Sequence, residues 1–590
     1  MRNLTFVRWI EFSAPPEDVW PLLANTDRLN REIGLPLPTF SYSPSNAGGT
    51  NAFASVKLGP VIARYREHPF EWVRGKHYSV RRTFAAGPIS EVFGSFEFEA
   101  AGKGTRVKVT TEVACRYVSL IGRMIGLRGL GQLEGGCRSF DRFLAHASQT
   151  PYPKESGRPP ANLDRLERGR SELLAAGIDL GVTSALCEFL RSAPPADLVN
   201  FRPLELAARL GFAPMDLLKT CLMATRLGLI DLKWRVMCPY CRSNKDTVGS
   251  LSDLGQEAHC EGCNIRFGAG FDENVEVVFS VSHNIRPVVY GSYCIGGPQV
   301  SPQAIAQWVL EPSENRTVQI DLEPKIWQIA SLQASNRPRI LVMPDGSPEC
   351  RIRFREGLTE IDVDSVCGSV CLHLSNETSE RVVARLEEAE WRAKAITAAE
   401  VASLQAFRDQ FSSEVLAPGV EIGVSQVCIL FTDLKGSTRM YREQGDVSSY
   451  ATVREHFKRL YGSIAKHQGA VVKTIGDAIM ASFHDPKNAV RAALEIQSAD
   501  DPLVTKIGLH WGPAIVVNAN DILDYFGRTV NLASRLQKQS LGGDIVLSAD
   551  LARESGVQQV ISELGAQSTA FSAEVPDIER EMNLIRLVPC

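Results

Sequence analysis

The chain has 590 residues, far too many for one hydrophobic core, so three to five domains are expected. Hydrophobic residues make up 44% and charged residues 22%, the balance of a globular protein and not of a disordered or fibrous one. The net charge of −4 leaves no global field to draw the chain to nucleic acid or anionic lipid. The opening MRNLTFVRWIEFSAPP lacks an uninterrupted apolar stretch and a small-residue cleavage site, so no secretory signal is expected. No run of about 18 apolar residues occurs, so no membrane span is expected either. The 14 cysteines are scattered apart from one cluster. That usage suggests reduced thiols in the cytoplasm plus one metal site.

Residues 1–150 begin with a strand over 4–12. Ser13 and Pro15 then mark a helix start, with Val19, Leu22 and Leu23 as its apolar stripe. Alternating segments such as ARYREH, HYSVRRTF, SEVFGSFEFEA and TRVKVTTEVAC predict antiparallel strands, and a long helix is expected over 120–148. This order, with its APPEDVWPLL element, resembles the START-like helix-grip fold. The resemblance implies a sheet wrapped around a helix and a cavity for a small hydrophobic ligand. A scaffold with a filled core is the competing reading.

PYPKESGRPPANLD reads as a linker. Residues 163–236 predict a winged-helix-like domain, two helices meeting at a turn on Gly211. Its second helix offers only Lys219 and Arg226 as cations, beside Asp216, so packing or dimerisation is expected there and DNA contact is not. In 237–271, Cys238-x2-Cys241 and Cys260-x2-Cys263 stand 18 residues apart. Four thiolates on two knuckles can close a tetrahedral shell around a structural zinc, which predicts a zinc ribbon. Residues 272–376 alternate in short runs and predict a β-sandwich-like domain. Residues 377–420, rich in Ala, Glu and Arg, predict a helical linker that packs or joins two protomers. Beyond Ser555 the sequence loses regularity.

The chemistry concentrates in 421–555. VCILFTDLKGST (427–438) predicts a buried strand ending in Asp433, then a turn through Gly436 into a helix capped by Ser437 or Thr438. VVKTIGDAIMASF (471–483) predicts two apolar strands with Asp477 on their turn. An aspartate on a turn is ordinarily a solvated turn former. Two of them closing adjacent apolar strands can instead clamp a pair of divalent cations. Mg²⁺ suits such a site because it accepts few carboxylates and completes its octahedron with phosphate oxygens and water.

Four blocks stand in order: FTDLKGST, KTIGD, GLHWG (508–512) and DYFGRTVNLASR (524–535). Together they resemble the catalytic domain of class III adenylyl and guanylyl cyclases, which implies a ferredoxin-like βαββαβ fold within 421–590. The whole chain is then a multidomain α+β protein. The resemblance implies an adenylate cyclase converting ATP to cyclic AMP with two Mg²⁺ (or Mn²⁺) per site. Asp433 and Asp477 would hold the metals with the Leu434 carbonyl. Asn531 would orient the ribose, Arg535 would stabilise charge on the pentacoordinate phosphorus, and Lys506 would meet the phosphates. Lys473 and Asp524 would read the base. Adenine wants one donor and one acceptor, which this pair supplies, whereas guanine presents the opposite pattern. Metal residues would come from one protomer and the remainder from its partner, so a homodimer with shared sites is implied. Two departures stand out: Asp544, where many members carry Lys or Arg, and the short 512–524 stretch. The alternatives are a cyclase for GTP or a pyrimidine nucleotide, and a nucleotide-sensing DNA-binding regulator.

Overall fold

The structure, a computed structural model, describes residues 2–44, 50–58, 61–117, 119–145, 160–240, 242–260, 265–288, 290–291, 293–294, 296–389, 395–575 and 581–589. The strand Arg2–Phe12 is followed by helices Pro16–Leu23 and Thr26–Glu32, by seven strands between Thr39 and Cys115, and by the helix Ser119–Ala145. Arg2–Phe12 pairs antiparallel with Gly104–Cys115, and the long helix packs on these two strands. Aromatic rings fill the space beneath. Trp20 meets Phe98 edge-on at 5.0 Å, and Tyr78 stacks on Phe96 at 4.6 Å. Tyr78 also donates its hydroxyl to the Leu23 carbonyl, which satisfies the polar end of a buried ring.

Four helices, Leu163–Ala175, Leu180–Ser192, Pro203–Leu210 and Pro214–Arg226, pack on a three-stranded antiparallel sheet. Its order is Asn244–Val248, Ile230–Met237, Val275–Val281. Gly211 turns the third helix into the fourth at φ 75°. The strand Val275–Val281 therefore belongs with the helices, not with the β-rich region that the sequence assigns to 272–376. Its seven residues are all buried, and alternation read locally does not reveal which strand a neighbour will pair with. The strands of 304–388 enclose a hydrophobic core of their own, but they are not a separate sheet. Ala304–Leu310 pairs with Glu71–Val73, joining the N-terminal strands and those of 304–388 into one sheet of 15 strands.

The expected helical linker is corrected as well. Residues Val382–Glu388 form a strand between Ala304–Leu310 and Ile326–Ser331. Val382, Ala384 and Leu386 are fully buried on one face. On the other, Arg385 donates to the Tyr240 carbonyl and Glu387 accepts from Gln328. Helix-forming composition yields here to burial on both faces, a tertiary override of propensity. Two short helices follow, Ala398–Ala402 and Gln405–Gln410; the second is labelled α1.

The C-terminal unit runs β1 (Glu421–Leu434), α2 (Ser437–Gln444), α3 (Asp446–Lys466), β2 (Gly469–Ile475), β3 (Ala478–Phe483), α4 (Pro486–Ser498), β4 (Thr505–Ala519), β5 (Ile522–Phe526), α5 (Arg528–Lys538) and β6 (Ile545–Ser548). The sheet order is β2-β3-β1-β4-β6, continued by Met582–Val588 and Gln567–Ala573. The tail beyond Ser555 is thus regular: a helix over Ser555–Glu563 and two strands that bury Leu584 and Leu587. Helices α3 and α4 cover one face of the sheet, while α5 and α1 pack on the other.

The strand assignment of 382–388 predicts that Leu386→Ala lowers stability by about 2–5 kcal/mol, the range for emptying a packed leucine site. An exposed stalk position would lose under about 1 kcal/mol. Urea unfolding of the full chain followed by tryptophan fluorescence distinguishes the two.

Candidate active site

From Val427 to Thr432, strand β1 is buried on both faces. Cys428 and Leu430 pack toward α3 and α4, and Ile429 and Phe431 toward α5. The strand period of two places Asp433 on the Phe431 side, at the end of the strand. Thr432 faces the other way, and its Oγ1 accepts the Ile479 N–H at 3.0 Å within the buried sheet. This bond ties the β2–β3 hairpin to β1 next to Asp433. The hairpin turns through Gly476, at φ 64°, and Asp477.

The two carboxylates act on each other. Asp433 is raised above the ordinary carboxylate range, first by burial and then by the charge of Asp477. The Leu434 N–H, Lys506 and Gln537 oppose that rise. Lys506 stands directly across from Asp433 in the β1–β4 ladder. Gln537 lies close enough to act on Asp433, yet its Nε2 makes no hydrogen bond of ordinary geometry. Asp477 Oδ2 is buried without a hydrogen-bond partner among the described residues. A buried carboxylate oxygen left unmatched beside a second carboxylate is costly unless a cation meets it. The donor set, two hard carboxylate oxygens at the ends of neighbouring strands, fits Mg²⁺ or Mn²⁺.

Beyond Asp433 the chain enters α2 through Gly436 at φ 77°. Gly436 itself is the N-cap, and no side chain caps the helix, which corrects the expectation of a Ser437 or Thr438 cap. The first N–H groups of α2 therefore remain available to an anion next to the two aspartates.

Lys473 on β2 and Asp524 on β5 form an ion pair, with Asp524 largely buried. The other Asp524 oxygen accepts the Tyr525 N–H at 2.8 Å. Asn531 and Arg535 lie on α5, which packs tightly because of Gly508: a Cβ there would stand 2.1 Å from the Gln537 nitrogen. At about 100° per residue, Asn531 and Arg535 share one face of α5, some 200–240° around from Gln537. Gln537 faces Asp433, and Asn531 is exposed. The two residues therefore project away from the metal-type pair of their own chain.

Asp544 does not face this site. Its carboxylate accepts from the Gly542 N–H at 2.9 Å and pairs with Arg586 Nε at 2.7 Å. It organises the turn before β6. Short as it is, the 512–524 stretch forms a complete β4–β5 hairpin, with Asn520 and Asp521 at positive φ. Of the cysteine cluster, Cys238 and Cys260 are buried and packed together, and Arg242 N donates to the Cys238 carbonyl in a tight turn. Cys241 and Cys263 lie outside the described residues. Thr432 and Gln537 were not singled out from sequence. The signal for Thr432 was present, since the residue before a strand-end aspartate must face the opposite side of the sheet.

Residues 421–560 match the family model described as the adenylate and guanylate cyclase catalytic domain, and residues 169–292 match a family of unknown function (DUF5939). The chain is 28% identical over 168 residues to an adenylate cyclase of Lachancea kluyveri, covering 24% of this chain and 9% of that protein. It is 30% identical over 184 residues to an adenylate cyclase of Mycosarcoma maydis, covering 25% of this chain and 7% of that one. The chain thus spans less than a tenth of the length of these curated relatives. Among solved structures, the adenylyl cyclase CyaB from P. aeruginosa is 21% identical, with 29% of this chain and 97% of that chain covered and a TM-score of 0.25.

Because the raised pKa of Asp433 marks a charged form disfavoured by folding, stability falls as pH rises from the unfolded to the folded value. Asp433→Asn should therefore melt about 1–3 °C above the parent at pH 7 without metal. The gap should close below about pH 4, where the parent carboxyl is protonated too. Differential scanning calorimetry across pH checks this. Thr432→Val leaves the Ile479 N–H without its acceptor, so it should lose about 1–3 kcal/mol of stability and weaken Mn²⁺ binding, read by calorimetric titration.

Proposed function

We propose, from the adenylate and guanylate cyclase catalytic domain at residues 421–560 of this multidomain α+β chain, that the protein converts ATP to 3′,5′-cyclic AMP and pyrophosphate. The observation that carries this reading is the pair Asp433 and Asp477, held together with Asp477 Oδ2 buried and unmatched. These carboxylates, with the Leu434 carbonyl, would hold two Mg²⁺ or Mn²⁺ ions. Once bound, the ions would acidify the ribose 3′-hydroxyl and neutralise the triphosphate.

The chain's own groups supply the rest. The ribose 3′-oxygen attacks the α-phosphorus in line, and the bond to pyrophosphate breaks. Uncapped N–H groups of α2 receive triphosphate oxygens, while Lys506 holds part of the charge opposite Asp433. Lys473 donates to adenine N1 and Asp524 accepts from N6; the ion pair that they form now keeps both in place until the base enters. Asn531 orients the ribose, and Arg535 offers its cation where negative charge grows on phosphorus.

Asn531 and Arg535 face away from their own Asp433, so the working enzyme is a homodimer in which each site draws on both chains. Ile475 and Phe526 are 51% and 64% exposed on the two strands that carry the base-reading pair, apolar surface suited to such a contact. The units before residue 405 we read as regulatory: a helix-grip fold at the N-terminus, a winged-helix-like fold, and a zinc ribbon whose buried Cys238 and Cys260 would be joined by Cys241 and Cys263. No helix among the described residues is long and apolar enough to cross a membrane.

The full chain is expected to form cyclic AMP from ATP in preference to cyclic products from GTP, CTP or UTP, measured by chromatography with Mg²⁺ or Mn²⁺. Turnover that survives Asp433→Ala would refute the assignment. Lys473→Glu with Asp524→Cys should move the preference toward GTP. Mixing Asp433→Ala and Arg535→Ala chains should recover about a quarter of parental activity, since half the dimers would carry one intact site of two. No recovery after subunit exchange would exclude shared sites.

A further inference from the structure

The base-reading pair presents a problem that the sheet does not solve. Lys473 lies on β2 and Asp524 on β5. Between them run β3, β1 and β4, so the two strands do not pair directly, and only a chain of ladders and the side-chain ion pair itself relate one to the other. Discrimination between adenine and guanine needs a donor and an acceptor at a set spacing, and a loose pair would read neither base well.

One short helix bridges the gap. On α1, Gln405 Oε1 accepts the Val471 N–H at 2.8 Å, two residues before Lys473. One turn on, Arg408 Nη1 donates to the Leu523 carbonyl at 2.7 Å, the residue before Asp524. The Arg408 guanidinium also sits 5.8 Å from the Tyr525 ring, the residue after it. Arg408 is itself aimed by the preceding helix, Nε donating to the Ala402 carbonyl at 2.8 Å. Each strand of the pair is thus tied, next to its functional residue, to the same few residues of α1.

The opposite side of α1 is anchored in the unit matched over 169–292. Phe407 is 1% exposed and meets Trp234 edge-on at 5.8 Å, with Phe411 stacked on it at 5.3 Å. Trp234 Nε1 and the Leu251 N–H both donate to Glu414, at 3.1 and 2.9 Å. An element buried in one unit whose two outward polar side chains hold the two specificity strands of another is more than a connector.

We propose that Gln405 and Arg408 are positioning residues that set the spacing of Lys473 and Asp524, and through them tie base choice to the seating of α1 on the 169–292 unit. This rests on the cyclase reading above. Both side chains act through backbone groups beside Lys473 and Asp524, so the effect should fall on recognition before turnover.

The test uses the full chain. Gln405→Leu removes the acceptor for Val471 N–H, Gln405→Glu keeps one, and Arg408→Ala removes the donor to Leu523. Each lost hydrogen bond is worth about tenfold. Gln405→Leu and Arg408→Ala should therefore each raise KM for ATP and lower the preference for ATP over GTP by about tenfold, with kcat changed less than about threefold. Gln405→Glu should stay close to the parent. Unchanged selectivity in Gln405→Leu at an unchanged melting temperature would overturn the proposal, and so would a fall confined to kcat. Should Arg408→Ala not fold, the Gln405 pair still decides. If the parent forms no cyclic nucleotide at all, the cyclase reading has failed. Calorimetric titration with non-cyclisable ATP and GTP analogues then decides the proposal separately: lost preference in Gln405→Leu supports it, and retained preference overturns it.

Discussion

The repulsion between Asp433 and Asp477 is the constraint on which the C-terminal unit is built. Burial and the neighbouring Asp477 charge raise the proton affinity of Asp433, and the surrounding groups offset this only in part. Lys506 supplies one cation across the ladder and the Leu434 N–H one donor, while Asp477 Oδ2 accepts no hydrogen bond from the described residues. Apolar strands packed between helix layers hold the pair together regardless, and the Thr432 bond to Ile479 N–H keeps the hairpin from relaxing away. A site in which folding forces two negative charges together is preorganised for divalent cations, because the chain has already met the cost of the arrangement before any ion arrives.

A second constraint follows from the geometry of α5. Gly508 lets the helix lie directly on the sheet, which brings Gln537 to Asp433. The same seating turns Asn531 and Arg535 outward by simple helical arithmetic. Asn531 and Arg535 are therefore separated from the aspartate pair within one chain, and on the proposed reading a second chain completes the site. The position of α1 between the 169–292 unit and the strands of Lys473 and Asp524 provides a physical link from the front of the chain to the site.

The likeness of 421–560 to a cyclase catalytic domain was legible because its signals are local. Asp433, Asp477, Lys473, Asp524, Asn531 and Arg535 all fall in short blocks whose strand-turn or helix context can be read from neighbours within about ten residues. What misled was equally specific. Arg385 and Glu387 gave 382–388 the composition of a helix, but both are buried and bond to groups far away in sequence. Val275–Val281 looked like part of the strands that follow it and pairs with those before it. Asp544 suggested a lost phosphate contact and instead serves a turn through Arg586. Gln405 and Arg408 carried no signal at all, because their partners, the Val471 N–H and the Leu523 carbonyl, are backbone groups that any sequence would present.

The central claim is that the aspartate pair exists to hold divalent cations beneath a nucleotide. Its most direct measurement is Mn²⁺ binding to the full chain, followed by electron paramagnetic resonance with and without a non-cyclisable ATP analogue. The account predicts nucleotide-dependent Mn²⁺ binding that disappears in Asp433→Ala and in Asp477→Ala alike. Binding that persists undiminished in either single variant would contradict it.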